Sequence, residues 1–346
     1  MEQRKVNIKG LSLQELEDFV LQLGEKKYKA RQLFKWIYDK GLTDFREMSD
    51  LSKNFRSKLE QVARVHSLQK LKSVKSDDKT CEKFLFQLKD KERIESVLIK
   101  EKKRTTLCIS TQVGCPLGCL FCATGKMGFK RNLTSGEIVD QIILIKRYLK
   151  ADERITNLVL MGMGEPLLNY ENTSKAIRIM KSDLGLGFAS RKITLSTAGI
   201  EPRIHQLADE GLKVKLAVSL NAANDDLRSR LMPINRKYPI GKLLKAAKFY
   251  AHKTDQRMTF EYLLIKGVND SKKDALDLSK LVRGVSCKIN LIPFNRVSGI
   301  PFEKPDEERV KNFRDVLYPR CPAVTLRMSK GEEIQAACGQ LRILSQ

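Results

Sequence analysis

The sequence predicts an α/β protein in three parts: a helical module over residues 1–65, a small antiparallel β extension over 66–104, and a long βα unit over 105–346. Three observations carry this reading. Apolar residues recur at helical spacing before residue 66, alternate with polar ones through residue 100, and from Thr105 fall into short strands separated by amphipathic helices. Repetition of strand and helix over such a length implies parallel strands joined by right-handed crossovers, in a barrel or an open sheet.

The first helix opens on a capping box, Ser12 with Glu15, carries the stripe Leu13, Leu16, Phe19, Val20 and Leu23, and stops at Gly24. A second helix places Leu33, Phe34, Ile37 and Tyr38 on one side and ends at Gly41. Its other side, Lys26, Lys27, Lys29, Arg31 and Lys35, is strongly basic, either a solvated face or an RNA-docking one. A third helix covers Leu51 to Val62. Strands follow over 67–74, 79–88 and 93–100, with Phe84, Phe86 and Leu88 on one face and the turn Lys89-Asp90-Lys91-Glu92 between the last two. In the βα unit the candidate strands are Thr106–Thr111, Asn157–Gly162, Lys192–Ser196, Lys215–Ser219, Thr259–Ile265, Lys288–Ile292 and Ala323–Met328. A second capping box, Thr134 with Glu137, starts one of the intervening helices.

Composition narrows the function. Hydrophobic residues make up 42% of the 346, enough to bury a core, and 65 Lys and Arg against 41 Asp and Glu leave a net charge of +24. An excess that large points to a polyanion. No apolar run is long enough to span a bilayer, and Met1-Glu2-Gln3-Arg4-Lys5 lacks the apolar core of a signal peptide. The expected partner is therefore nucleic acid met in the cytoplasm, with no membrane.

Of eight cysteines, Cys115, Cys119 and Cys122 crowd into one loop at C-x3-C-x2-C spacing. Such clustering reads as metal or redox chemistry. A structural zinc wants four protein ligands, and the loop offers no fourth Cys or His; Cys108 would serve only if the loop folded back. Three thiolates on a 4Fe–4S cluster leave one iron open for substrate. The three histidines, His66, His205 and His252, all lie far from this loop in sequence. Polar residues also mark the strand ends: Gly162-Met163-Gly164-Glu165-Pro166, Ser196, Ser219 and Asn295. In βα barrels those ends build the ligand site, so four elements aim hydrogen-bonding groups at the mouth that holds the cysteines.

The cysteine loop and the Gly-Glu-Pro turn resemble the radical S-adenosylmethionine (SAM) superfamily, which implies a partial, TIM-like βα barrel. Nearly the whole chain is similar to the bacterial RNA adenine methyltransferases of the RlmN/Cfr group. The matching stretches are Ala30–Tyr38, Met161–Asn169, Leu195–Thr197, Met232–Asn235 and Ala336–Leu341. Asn290-Leu291-Ile292-Pro293-Phe294-Asn295 looks like the carbon-2 enzymes and not the carbon-8 resistance enzymes.

The resemblance implies that Cys115, Cys119 and Cys122 hold one 4Fe–4S cluster. Gly164, Glu165, Ser196, Ser219, Leu220, Asn221 and Asn295 would hold SAM. Cys338 would be the cysteine that is itself methylated, Cys108 its redox partner and Glu95 the proton acceptor. Two SAM would be used per turnover, one to methylate Cys338 and one to generate the radical that activates that methyl. The implied substrates are 23S rRNA and tRNA, and the electron donor a flavodoxin or ferredoxin. Two positions depart from the family: Asn221 stands where His is usual, and Lys330 where Arg is usual. Other classes weighed against this reading are a radical SAM enzyme for a small molecule or a protein, and a zinc-stapled RNA-binding protein. The basic helical module argues against the first, and the missing fourth ligand against the second.

Overall fold

The structure, a computed structural model, describes residues 5–321 and 323–343. Most of the charged start discussed above, Met1–Arg4, lies outside the described residues. The chain begins with β1 (Val6–Asn7), α1 (Leu13–Gln22), α2 (Tyr28–Tyr38) and α3 (Lys53–Val62), and β2 (Ala63–Arg64) pairs with β1 in parallel. Ser12 and Glu15 form the expected capping box, and Leu16, Val20, Leu33, Phe34, Ile37 and Tyr38 are buried. Lys26, Lys27, Arg31 and Lys35 are exposed, as the helix periodicity requires. Lys29 departs from the expected free face: it pairs with Glu25 one turn away and lies 5.0 Å from the Phe55 ring centroid.

Next come β3 (Gln69–Lys75), β4 (Cys81–Gln87), β5 (Arg93–Glu101), β6 (Arg104–Cys108), β7 (Gln112–Gly114), α4 (Ala123–Lys126), β8 (Phe129–Asn132) and α5 (Ser135–Tyr148). The remainder alternates: β9 (Asn157–Leu160), α6 (Tyr170–Lys181), β10 (Ile193–Thr197), α7 (Glu201–Asp209), β11 (Lys215–Ser219), α8 (Asp225–Leu231) and α9 (Ile240–Thr254), then β12 (Met258–Leu264), α10 (Lys272–Leu281), β13 (Cys287–Pro293), α11 (Glu307–Leu317) and β14 (Val324–Leu326).

One ten-stranded sheet runs through this chain in the order β14-β13-β12-β11-β10-β9-β6-β5-β4-β3. From β6 to β14 every pairing is parallel, and from β3 to β6 every pairing is antiparallel. β14 and β3 lie at opposite edges, so the barrel is open, and the extension continues it instead of forming a separate layer. β6 is the junction: Cys108 faces Val97 of β5 across one ladder and Val159 of β9 across the other.

Residues 106–111, expected as one strand, are in one only as far as Cys108, where β6 ends; β7 begins at Gln112 and pairs with β8 in a separate two-stranded sheet. Glycine is required where β7 meets β8: Gly114 has φ +74°, and a Cβ there would lie 1.9 Å from the Gly128 carbonyl oxygen. The cysteine loop thus springs from this small hairpin and not directly from the first parallel strand.

The helical module is fastened to α5 by a buried ion pair. Lys9 Nζ lies 2.5 Å from Asp140 Oδ1, and Asp140 Oδ2 accepts from Ser67 Oγ at 2.9 Å and the Leu68 amide at 2.6 Å. The Tyr38 hydroxyl accepts from the Gly10 amide at 2.8 Å and donates to the Leu11 carbonyl at 2.9 Å. Removing one partner of such a pair strands the other charge in the interior. Asp140→Ala should therefore destabilise the protein by about 3–5 kcal/mol in urea unfolding, and Lys9→Met with Asp140→Leu should cost clearly less. Equal losses for the two variants would show that the ionic term is not what holds the module.

Candidate active site

The cysteine loop alternates its faces: Pro116, Gly118 and Leu120 point to solvent, whereas Leu117 and Cys119 are buried. Hydrogen bonds hold this register, from the Cys115 amide to Gly128 O at 2.8 Å, from Leu120 to Leu231 O at 3.0 Å, and from Cys122 to Cys119 O at 3.1 Å. All three thiols line one chamber of about 180 Å³. Burial pushes the Cys115 thiol up to about 12 and raises Cys119 and Cys122 as well, and backbone amides of Gly125 and Thr124 directed at Cys122 offset part of that. Three thiols buried together ionise only where a cationic centre compensates them. Among the described residues, no three Cys, His, Asp or Glu side chains converge tightly enough for a single metal ion. The N–H groups of Gly125 and Thr124 directed at Cys122 are the kind of donor that tunes an iron–sulfur cluster through its sulfurs.

The strand ends form the rest of the chamber. Gly164, Glu165, Ser196, Ser219 and Asn221 line it. Gly164 has φ +100°, and a Cβ there would meet Gln112 at 2.5 Å, so only glycine lets β7 pack beneath the turn. Glu165 accepts from the Ala198 amide at 2.7 Å and the Leu167 amide at 3.1 Å, yet burial still pushes its carboxyl up to about 7. Asn221, with φ +57°, adopts a left-handed conformation that Asn tolerates. Its Oδ1 accepts from the Leu263 amide at 2.9 Å, so the residue standing where His is usual stitches β11 to β12.

Two predicted cofactor contacts do not line the chamber. Leu220 is buried in the core, and its amide donates to Glu261 O at 2.9 Å. Asn295 stands behind the wall, with Nδ2 donating to Cys338 O at 3.1 Å and Oδ1 buried without a partner.

Cys338 and Cys108, 230 residues apart in sequence, both line a second cavity of about 30 Å³, and Cys338 also lines the main chamber. Both thiols are free. Burial pushes Cys108 up to about 12, reinforced by its neighbour Cys338. The segment carrying Cys338 is strapped to α4, with Ala123 N bonded to Gly339 O at 2.7 Å and Thr124 Oγ1 to Leu341 O at 2.6 Å. Glu95 lies outside both cavities. It lines a third, of about 330 Å³, and pairs with Lys83 at 3.1 Å, while Oε2 is buried and unpartnered and burial raises its pKa. Val97, two residues along the same strand, lines the Cys108 cavity, so β5 presents Glu95 on the same face. Lys330 also lines that cavity, with Nζ 3.5 Å from Lys100 O.

Three residues escaped the sequence reading. Glu261 on β12 faces the chamber and accepts from Asn290 Nδ2 at 2.6 Å. Arg327, just past β14, lines both cysteine cavities. Arg228 on α8 is fully buried beneath the strand ends. A lone carboxylate inside the apolar strand Thr259–Ile265 was a legible signal for Glu261; the other two had none.

Residues 109–279 match the radical SAM superfamily. The structure superposes with TM-score 0.93 on the crystal structure of a radical SAM methyltransferase from Sphaerobacter thermophilus, at 46% identity, covering 97% of this chain and 99% of that one. An open parallel barrel with three thiols at its mouth and these similarities define a radical SAM enzyme, a class that works with a 4Fe–4S cluster and SAM. Residues 6–65 match the ribosomal RNA large subunit methyltransferase N-terminal domain. The dual-specificity RNA methyltransferase RlmN of Syntrophus aciditrophicus is 48% identical over 99% of this chain and 97% of its own length. Its counterpart in Syntrophobacter fumaroxidans is 48% identical over 97% and 98%. This chain belongs to the RlmN family of radical SAM RNA methyltransferases.

Anaerobically purified protein should be brown and contain about four irons, and replacing Cys115, Cys119 or Cys122 by Ala should bleach it. Stoichiometric zinc that supports activity, or an unbleached Cys119→Ala, would be incompatible with a cluster at this loop.

Proposed function

We propose that the protein methylates carbon 2 of an adenosine in 23S rRNA and in tRNA, carrying the methyl group on Cys338. The observation that carries this reading is the position of Cys338 on the wall shared by the two cysteine cavities. Cys115, Cys119 and Cys122 would hold the cluster. Gly164, Glu165, Ser196, Ser219 and Asn221 would contact SAM, with Leu220 and Asn295 supporting that wall from behind. When bound, the cluster and SAM supply the methyl group and one-electron chemistry, two SAM being used per turnover and the electron coming from a flavodoxin or ferredoxin in the cytoplasm. No helix among the described residues is long and apolar enough to cross a membrane.

Carbon 2 of adenine lies between two ring nitrogens and is electron-poor, so an electrophilic methyl cannot be delivered to it directly. Cys338 first takes the methyl as a thioether, an ordinary nucleophilic displacement. Once its carbon is bonded to the base, protein and RNA are one molecule. Cys108 then attacks the Cys338 sulfur, the S–S bond forms as the S–C bond breaks, and the carbon keeps the electron pair and is protonated. Before that attack the ring regains aromaticity by losing the proton of carbon 2 and the one unpaired electron the addition left on it. The electron would pass to the cluster, when bound, and the proton to Glu95, whose raised pKa makes it a stronger base than an exposed carboxylate. Residues 1–65 would dock RNA, 66–104 carry Glu95, and 105–346 house the chemistry.

Because the roles of the thiols are ordered in time, their variants should fail differently. Cys338→Ala should give neither adduct nor product. Cys108→Ala should accumulate a covalent protein–RNA species on denaturing gels, absent from the double variant. Full turnover by Cys108→Ala would reassign the second thiol. In the native enzyme the release step needs the Cys108 thiolate, a minor form at neutral pH because its pKa lies near 12. Below that value the thiolate fraction, and with it the rate of adduct decay, should rise roughly tenfold per pH unit. A pH-independent decay between neutrality and pH 9 would show that attack by the Cys108 thiolate does not limit release.

RNA docking rests on Lys26, Lys27, Arg31 and Lys35. If they grip phosphates, each Ala substitution should flatten the salt dependence of RNA affinity by roughly one unit or less on a log–log plot. Unchanged slopes in the fourfold variant would leave that face as solvated surface. Mass spectrometry of 23S rRNA and tRNA from a deletion strain identifies the modified position, and a loss at carbon 8 instead of carbon 2 would overturn the reading.

A further inference from the structure

Arg327 has no role in the reaction described above, yet it occupies its centre. It follows the C-terminal end of β14 and lines both the main chamber and the small cavity shared by Cys108 and Cys338. Its only side-chain hydrogen bond among the described residues is from Nη1 to Met161 Sδ at 3.8 Å, and no carboxylate there lies within 4.0 Å of it. Cys338, Glu261, Cys108 and Glu101 are the titratable groups whose charges act on it. A guanidinium offers five N–H donors in one plane, and a thioether is a weak acceptor. Arg327 is half-buried and lines both cavities, so an acceptor on a ligand entering them can take these donors over from water.

The chemistry at Cys338 says which ligand. The carbon borne on its sulfur must bond to the base, so the atoms flanking the reacting carbon come to rest beside the same side chains. For carbon 2 of adenine those atoms are N1 and N3, each with an in-plane lone pair. The groups assigned to SAM sit at the ends of β9, β10 and β11, whereas Arg327 follows the edge strand β14 and lines the Cys108 cavity as well. We propose that Arg327 donates a hydrogen bond to a ring nitrogen adjacent to the carbon that is methylated, and that this bond strengthens as the new carbon–carbon bond forms.

The electron count explains the strengthening. The unpaired electron of the Cys338-borne carbon pairs with one electron of a ring C=N bond, the carbon–carbon bond forms, and the other electron of that bond is left on the nitrogen. Nothing leaves the ring at this step. A donor already aimed at that nitrogen stabilises the density as it arrives, which is differential binding of the transition state.

The inference rests on methyl transfer through Cys338, and its test separates the two. In the Cys108→Ala background, single-turnover adduct formation is measured for Arg327 and Arg327→Met enzymes on RNA whose target is adenosine, 1-deazaadenosine or 3-deazaadenosine. Arg327→Met should slow adduct formation about 10²–10³-fold, as expected for loss of one positioned donor. Methylation of Cys338, read by protein mass spectrometry, and SAM affinity should stay within about twofold. One deaza substrate should slow the parent enzyme far more than the Met variant, because both changes remove the same bond. Arg327→Lys, with one donor, should recover part of the rate. Independent, multiplicative losses on both deaza substrates would overturn the proposal. So would a tenfold or greater loss of SAM affinity, which would give the guanidinium to the cosubstrate. If the parent enzyme forms no adduct through Cys338 on ordinary RNA, the reading under Proposed function fails. The affinity of Arg327→Met for adenosine and deaza RNAs then decides the contact: equal affinities for all three, where the parent discriminates, support it, and unchanged discrimination overturns it.

Discussion

The mouth of the barrel depends on one buried guanidinium. Arg228 is fully shielded from solvent and makes no ion pair within 4.0 Å among the described residues, the Asp225 carboxylate acting on it from behind Asn235. It donates to Ala198 O at 2.6 Å, Ser219 O at 2.9 Å, Leu220 O at 3.0 Å and Asn235 Oδ1 at 2.8 Å. The three carbonyls belong to the chain leaving β10 and β11, where ladder bonding has ended and backbone acceptors need other donors. A planar fork with fixed directions can satisfy three strand-end carbonyls at once, which a lysine ammonium on a flexible stem cannot do with the same geometry. Burial lowers its pKa to about 10, still well above neutrality, so the charge that polarises these bonds persists. Through Asn235, which donates to Asp225, the same centre fixes the start of α8. Leu231 at the end of that helix accepts from Leu120 and so holds the cysteine loop.

An open sheet gives the two distant thiols their meeting place. A closed barrel would pair β14 with β6 and fill the gap between them with ladder. Here β6 pairs with the antiparallel extension instead, and the segment after β14 folds back across that edge, bringing Cys338 beside Cys108. The extension therefore does more than link two units. It supplies the strand on which Glu95 and Val97 face the interior, and it keeps Cys108 at the end of a buried strand where burial pushes its thiol up to about 12.

Charge is distributed with the same logic. The surface carries a large positive excess suited to a polyanion, and the helical module presents exposed Lys26, Lys27, Arg31 and Lys35 from a unit locked to α5 by Lys9 and Asp140. The chamber is different: its buried thiols and the carboxyls of Glu165 and Glu261 are all pushed toward their neutral forms by desolvation. Such groups are poised to become anionic when a cationic partner enters, which is the electrostatic complement of a cluster and a sulfonium cosubstrate.

Local pattern determined much of this in advance. The capping boxes at Ser12 and Thr134, the helix stripes, the alternation around Phe84 and Phe86 and the parallel strands all follow from periodicity, because each needs only near neighbours in sequence. The C-x3-C-x2-C loop and the polar strand ends were legible for the same reason. Tertiary structure decided the rest. It ended the first parallel strand at Cys108, tied Lys29 to Glu25 and Phe55, and set Leu220 and Asn295 behind the chamber wall. It placed Glu95 in a cavity of its own and gave Arg228 and Arg327 their positions. Periodicity tells which face of an element is buried, but not which distant side chain it will meet there. That depends on sheet order and on where an open edge is covered, and both arise from packing contacts between residues far apart in the chain.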